Sequence, residues 1–463
     1  MKCKLKLVVF LVCFLAIRCF GVTVSINWSS VIKTIDPMAY GVNGPVFFDP
    51  VNGQNSSYIN NYKHLTSTMS GSTTLIRLHG WGMVTAGSPQ CWLNSDGTWN
   101  TSKIQQALQS LVNNHFTLMI NIPSGPDGNG CDINTFPQFC ANLVTIVNKN
   151  YGYNVKYWEL PNERENIYDA ATIGRLISAC SKAMKNVDSS IKVGGPASSW
   201  LNSSALSTIL DYAAADIDFT TSHWYGGFGP ESDASLYDNA QNLANDISRA
   251  RQLLSQKSPD KYIPIWIDEW NSTTTGDVRN HDNRGAVIGA LVMKSVFANG
   301  GDGANWWIDG GWYPWADGNG NGNLYPSGIM LNILNRYFRG SWVTANSSDT
   351  GNINTFAVYG STGHSFIIIN RSGSCQNVDF SFQGWTPGSF TTWISYQISS
   401  SGTSSRSASW QSISGGISVP DNSLTFFVGD GGGQTPAPTP VPTATPAATP
   451  TGPLGSNLPL QSH

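Results

Sequence analysis

Phe116-Thr117-Leu118-Met119-Ile120-Asn121-Ile122, then an amphipathic stretch over residues 136–149, then Val155-Lys156-Tyr157-Trp158-Glu159-Leu160 decide the fold of this chain. The two apolar runs are too short for helices, and the stretch between them carries helical spacing, so together they read as one β-α-β unit. The alternation repeats outward in both directions. Further apolar runs at 39–43, 73–79, 192–195, 218–225, 264–271 and 304–308 bring the strands to eight, with helical patterns at 102–114, 170–186, 236–254 and 283–298. Eight such units predict an α/β fold, a closed (β/α)8 TIM barrel over 36–338, in preference to an open sheet.

A barrel of roughly 250 residues leaves room in a 463-residue chain for a second module. Residues 339–430 supply it, as short alternating strands separated by Gly, Ser and Asn that predict a C-terminal β-sandwich. The strand-like segment 22–35 is expected to join that sandwich. Residues 431–463 form a Pro/Thr-rich linker and tail, expected to be disordered.

At the other end, Lys2, Lys4 and Lys6 precede an apolar run at 7–17 and the small residue Gly21. This is the pattern of a signal peptide over 1–21, cleaved before Val22, and predicts a secreted, extracellular protein. The run is too short to span a bilayer, so no membrane partner is expected.

Composition narrows the partners further. Only 12% of residues are charged, about half the usual share, while aromatics reach 11% and include 17 Trp. That balance suits an extracellular protein that handles carbohydrate. With a net charge of −3 and no long basic run, nucleic acid is not an expected partner. Three of the eight cysteines leave with the leader; Cys91, Cys131, Cys140 and Cys180 allow three pairings, and Cys375 is the odd thiol.

Barrel active sites lie at the C-terminal ends of the strands, so the polar residues ending each run carry the functional reading. The second run ends Arg77-Leu78-His79, the fourth Glu159-Leu160-Pro161-Asn162-Glu163, the sixth His223-Trp224-Tyr225 and the seventh Asp268-Glu269-Trp270-Asn271, while the eighth carries Trp306-Trp307. Two carboxylates thus face each other across one opening, Glu163 and Glu269. Cleavage of a glycosidic bond needs such a pair, one protonated at the leaving oxygen and one ionised at the anomeric carbon, about 5–5.5 Å apart when configuration is retained. Arg77 and Tyr225 are the expected donors to Glu269, and Glu159 is expected to be a buried partner of Arg77 or another donor. Asp268 has opposite strand parity to Glu269 and is expected to support the barrel wall. Glu165 is expected on a solvated loop.

In this order and spacing the motifs resemble those of glycoside hydrolase clan A, nearest in layout to families 39, 44 and 51, over residues 36 to about 430. The resemblance implies a retaining glycosidase with Glu163 as acid/base and Glu269 as nucleophile. Arg77, Asn162, His223, Tyr225 and Trp307 are the implied substrate-binding residues, and neither cofactor nor metal is implied. One departure stands out: Pro161-Asn162-Glu163-Arg164 replaces the usual Trp-Asn-Glu-Pro, placing Arg164 where it could lower the pKa of the acid. Trp81, Trp92, Trp99, Trp200, Trp224, Trp312 and Trp315 fall in or beside the strand-end loops and are expected to line a sugar-binding groove, with Trp307 at its floor.

The expected activity is endo-cleavage of a β-linked neutral polysaccharide such as glucan, mannan or xylan by a monomer. An exo-acting xylosidase or arabinofuranosidase, and a non-catalytic glycan-binding relative, remain alternatives. The run Asp317-Gly318-Asn319-Gly320-Asn321 is a candidate for a structural calcium site.

Overall fold

The computed structural model describes residues 21–36, 38–44, 56–66, 75–80, 82–85, 91–126, 130–308, 315–316, 323–361, 363–389 and 391–429. Residues 1–20, where the leader is expected, the segment from 430 and the 317–321 loop lie outside the described residues.

After β1 (Val22–Ile35), eight parallel strands close a barrel in chain order: β2 (Tyr40–Asn43), β3 (Leu75–Leu78), β4 (Thr117–Asn121), β5 (Tyr157–Glu159), β6 (Lys192–Ser198), β7 (Phe219–Tyr225), β8 (Ile265–Asn271) and β9 (Gly303–Trp306). Closure is made by β9 on β2, with Tyr40 opposite Ala304 and Val42 opposite Trp306. Each run read as a strand from the sequence forms one. The barrel strands are buried on both faces, as β8 shows along its whole length, and this is why they read as near-continuous apolar runs.

The helices that cover the barrel include α1 (Ser56–Thr66), α2 (Thr101–Asn113), α3 (Phe136–Val144), α4 (Ala170–Val187), α5 (Ser203–Ala213), α6 (Asp233–Lys257), α7 (Asn283–Ala298) and α8 (Pro326–Tyr337). Their starts are written in the sequence. Asn100, Asp169, Asn202, Ser232 and Asp282 each accept a hydrogen bond from a first-turn N–H, so the chain leaves each strand end and enters its helix at a fixed residue.

The C-terminal module is one nine-stranded sheet, ordered β15-β14-β17-β12-β11-β10-β1-β13-β16. Its strands after the barrel are β10 (Gly340–Ser347), β11 (Ile353–Gly360), β12 (Gly363–Asn370), β13 (Gln376–Gln383), β14 (Thr392–Ser399), β15 (Gly402–Ser409), β16 (Ile417–Val419) and β17 (Ser423–Gly429). β1 lies within it, antiparallel to β10 and parallel to β13. The sheet curls on itself in sandwich fashion. Phe366 of β12 and Phe380 of β13 are four strands apart in the ladder, yet their ring centres are 5.6 Å apart.

Alternate residues of the sheet face the other way. Phe356, Val358, Ile367, Ile369 and Phe426 join the core of the barrel. The helix they cover is α7, which is buried on nearly every face because the barrel lies on one side of it and the sheet on the other.

Candidate active site

The site starts from Arg77, on β3 and wholly buried, where an unpaired guanidinium could not be tolerated. Its Nε donates to Glu159 Oε2 at 2.7 Å and lies 2.9 Å from Asp268 Oδ2. Nη1 donates to Asn43 Oδ1 at 2.9 Å and to Glu269 Oε2 at 3.3 Å, and Nη2 donates to Asn162 Oδ1 at 2.7 Å. One planar donor therefore ties the ends of β2, β5 and β8 together. Asn121 Nδ2 adds a second donor to Glu159 Oε2 at 2.9 Å.

Asp268 departs from the parity expectation. Ser222 pairs with Ile267 but His223 pairs with Glu269, so Asp268 is an extra residue in β8, a bulge that lets two consecutive carboxyls turn inward. Burial, and then the charge of Glu159, push the Asp268 carboxyl well above its ordinary range, and the two side chains share a hydrogen bond. The Glu159 pKa is lowered: burial opposes ionisation, but the charge of Arg77 together with hydrogen bonds from Asp268, Arg77 and Thr221 outweighs it. Of this buried pair, Asp268 is the member that holds a proton more tightly.

Glu269 stands just above this base, 6% exposed. Tyr225 Oη donates to its Oε1 at 2.5 Å, the contact expected of Tyr225. Burial raises its pKa, and Glu163 adds to the rise, against the lowering influence of His223, Arg77 and the Tyr225 hydrogen bond.

Glu163 sits on the loop after β5, with its side chain 24% exposed. Its backbone takes φ +47°, a left-handed conformation uncommon for a residue with a side chain and a frequent mark of a functional position. Three backbone features fix it there. Glu163 N–H donates to Ala197 O at 3.0 Å, and Asn162 N–H to Pro123 O at 3.4 Å. Gly195, at φ +152°, lets β6 approach so closely that a Cβ would stand 2.0 Å from Leu160 O.

Arg164 turns inward, where its Nε donates to Pro123 O at 3.1 Å. Glu165, expected in solvent, accepts from both the N–H and the hydroxyl of Ser199, at 2.6 and 2.5 Å, and so joins the loops after β5 and β6.

His223 links the two candidate catalytic carboxylates. Nδ1 lies 2.7 Å from Glu163 Oε1 and Nε2 3.4 Å from Glu269 Oε2. Burial works against its protonation, but Glu269, Glu163 and Asp268 outweigh burial and raise its pKa to about 10. His79 goes the other way, driven well below the ordinary value by burial and then by Arg77, so it is neutral. Single ligand atoms of Glu163, His223 and Glu269 lie within 4.8 Å of one another, a spacing a cation could use.

The aromatic residues divide. Trp306 is buried against Trp270, with ring centres 4.6 Å apart, whereas Trp307 is half-buried and meets His79 edge-on at 5.1 Å. Trp92, Trp99 and Trp315, expected in the groove, are core residues instead; Trp99 stacks on Phe139 at 4.3 Å. Trp200 and Trp224 keep exposure, and Trp81 and Trp312 lie outside the described residues. The described cysteines are all free thiols, four buried and Cys375 exposed.

Comparison with known proteins follows this geometry. Residues 143–305 match the model of Glycosyl hydrolases family 39. A β-xylosidase of Geobacillus stearothermophilus is 23% identical over 158 residues, which cover 32% of this chain but only 29% of that enzyme's length. A xyloglucanase of Paenibacillus polymyxa from glycoside hydrolase family 44 superposes with a TM-score of 0.63 at 16% identity, over 89% of this chain and 99% of that one. The family 51 α-L-arabinofuranosidase of Thermotoga petrophila gives 0.68 at 12% identity, over 88% and 100%. The resemblance to glycoside hydrolase families 39, 44 and 51 carried by Asn162-Glu163 and Asp268-Glu269 is therefore met in a family model, in barrel fold and in the attached sheet.

Proposed function

We propose that the protein is a secreted, retaining glycoside hydrolase that cleaves a β-linked, largely neutral polysaccharide such as glucan, mannan or xylan, by double displacement within the chain. The observation that carries this reading is the closeness of Glu163 and Glu269, whose nearest ligand atoms lie within 4.8 Å with His223 between them. That distance suits direct attack by a carboxylate, because an inverting pair stands about 6.5–9.5 Å apart to admit a water.

Glu269, held by Tyr225 and Arg77, attacks the anomeric carbon while Glu163, the more exposed of the two, protonates the leaving oxygen. As Glu163 gives up its proton, the His223 imidazolium at 2.7 Å stabilises the carboxylate that forms. A water then enters, Glu163 takes its proton, and the water oxygen attacks the anomeric carbon as the bond to Glu269 breaks, freeing the sugar and restoring the Glu269 carboxylate. Each step uses side chains of this chain and calls for no cofactor. Export is supported by the leader-like residues 1–21, and action as a monomer needs no partner beyond the glycan.

Screening neutral polysaccharides for new reducing ends tests the reading, with Glu269→Gln as the blank. Release from at least one β-glucan, mannan or xylan is expected, and activity confined to a polyuronic acid would overturn the substrate class. A second reading, exo-cleavage, is supported by similarity to a β-xylosidase and an arabinofuranosidase. Release of single sugars alone from the non-reducing end would favour it.

A further inference from the structure

We infer that Trp200 and Phe228 are sugar-stacking surfaces on the leaving-group side of the cleaved bond, so that the enzyme recognises at least two sugar units beyond it. The inference rests on the glycosidase reading and deepens it, from a reaction to the length of substrate the site is built to hold.

Large apolar side chains scattered singly on a surface need no explanation. These two are different in place and in how they are held. Trp200 is 55% exposed and lies in the short link between β6, which ends at Ser198, and Asn202, the cap of α5. The residue before it, Ser199, gives both its N–H and its hydroxyl to Glu165, and Ala197 accepts the N–H of Glu163 at 3.0 Å. Trp200 therefore shares a hydrogen-bonded ledge with the proposed acid.

Phe228 is 76% exposed, on the loop that follows Tyr225. That loop is tightly tied. Phe228 N–H donates to Glu231 Oε1 at 2.8 Å and Gly229 N–H to Oε2 at 3.1 Å, while Arg279 Nη1 holds the Glu231 carbonyl at 2.8 Å. Thr274 N–H donates to Gly227 O at 2.9 Å, and Asn239 Nδ2 to Gly226 O at 2.7 Å. A ring left in water on so constrained a loop is presented at a fixed place, with little ordering entropy left to lose on binding.

The order of strands around the barrel gives the side. Glu163 follows β5, Trp200 follows β6, Phe228 follows β7 and Glu269 ends β8, so both rings lie in the arc between the two carboxylates. Trp307 and His79, from β9 and β3, lie in the opposite arc. The leaving oxygen is the atom Glu163 protonates, so the leaving sugars lie toward the Glu163 loop and the loop bonded to it. Flat apolar rings there suit the C–H faces of neutral pyranose units.

The test is kcat/KM along a ladder of neutral oligosaccharides, from two to six units, of whichever glycan the wild type cleaves. Wild-type rates are expected to climb as units are added on the leaving side. Trp200→Ala and Phe228→Ala are each expected to fall further behind the wild type as units are added on the leaving side, reaching about three- to tenfold on the longest, the range an aromatic contact supplies. Trp200→Tyr is expected to recover most of the loss, which a folding defect would not allow. The same fold-loss at every length, or none at any length, would overturn the inference while leaving the glycosidase reading intact. If the wild type cleaves no member of any ladder, the glycosidase reading itself falls, and the inference with it.

Discussion

His223 Nδ1 lies 2.7 Å from Glu163 Oε1, joining the end of β7 to the loop after β5 through a buried imidazole whose other nitrogen faces Glu269 at 3.4 Å. A cation between two carboxylates lowers the cost of ionising either one, so His223 bears on both proposed catalytic groups at once.

Replacing His223 with Asn removes a charge that lowers the pKa of Glu269. The acid limb of kcat/KM, which reports the free nucleophile, is then expected to move to higher pH, with a loss of ~10²-fold or more at the optimum. Stability gives an independent readout. The folded pKa of His223 is about 10 against an ordinary 6.5, so its stabilisation is fully present below 6.5 and is lost as pH rises toward 10. Denaturation midpoints of wild type and variant should converge across that interval; a gap that widens there would contradict the assignment.

Arg77 is the hub of the buried polar base, and Arg77→Met leaves the Glu159 and Glu269 charges without it. Breaking one side of a buried pair costs about 3–5 kcal/mol. Urea unfolding should register a loss of that order. A change under ~1 kcal/mol would show that Asn121 and neighbouring groups hold Glu159 unaided.

Glu269 follows the same sign as His223, but with a group that is charged at high pH instead of low. Burial raises its folded pKa above the ordinary 4.5, so its contribution to stability is present below that value and is lost as pH rises through the folded pKa. Ionising this buried side chain opposes folding, and Glu269→Gln is expected to be inactive yet at least as stable as the wild type at pH 7. Thermal melts at pH 7 and pH 4 test this: the variant's advantage should be smaller at pH 4, and a variant clearly less stable at pH 7 would contradict it.

How much of this was legible in the sequence depends on whether period or register was being read. The eight strands and their helices follow from periodicity and caps, and Arg77, Asn162, Glu163, His223, Tyr225 and Glu269 converge because each ends a strand. Asp268 was misread because strict alternation fails at a bulge, and a one-residue insertion leaves no composition signal. Trp92, Trp99 and Trp315 were misread because a loop tryptophan looks the same in sequence whether it faces solvent or folds under the barrel rim. Asn43 and Asn121 could have been found, since each ends its strand and a buried Asn needs partners. The Glu165–Ser199 tie joins separate loops that only the closed barrel brings together.

The roles of the two carboxylates separate by leaving group. Glu163→Ala should slow substrates with poor leaving groups far more than activated aryl glycosides, because only the former need protonation, and added azide should restore part of the rate. Glu269→Ala should lose both classes by at least ~10²–10⁴-fold. Equal losses in Glu163→Ala across leaving groups would remove it from the acid role.

The most direct test of the central claim, double displacement by a close carboxylate pair, is proton NMR of the sugar first released from a β-linked substrate, recorded before mutarotation. The β-anomer is expected, with configuration retained through a glycosyl-enzyme on Glu269. Initial appearance of the α-anomer would mean a single displacement by water, and would contradict the roles given to both Glu163 and Glu269.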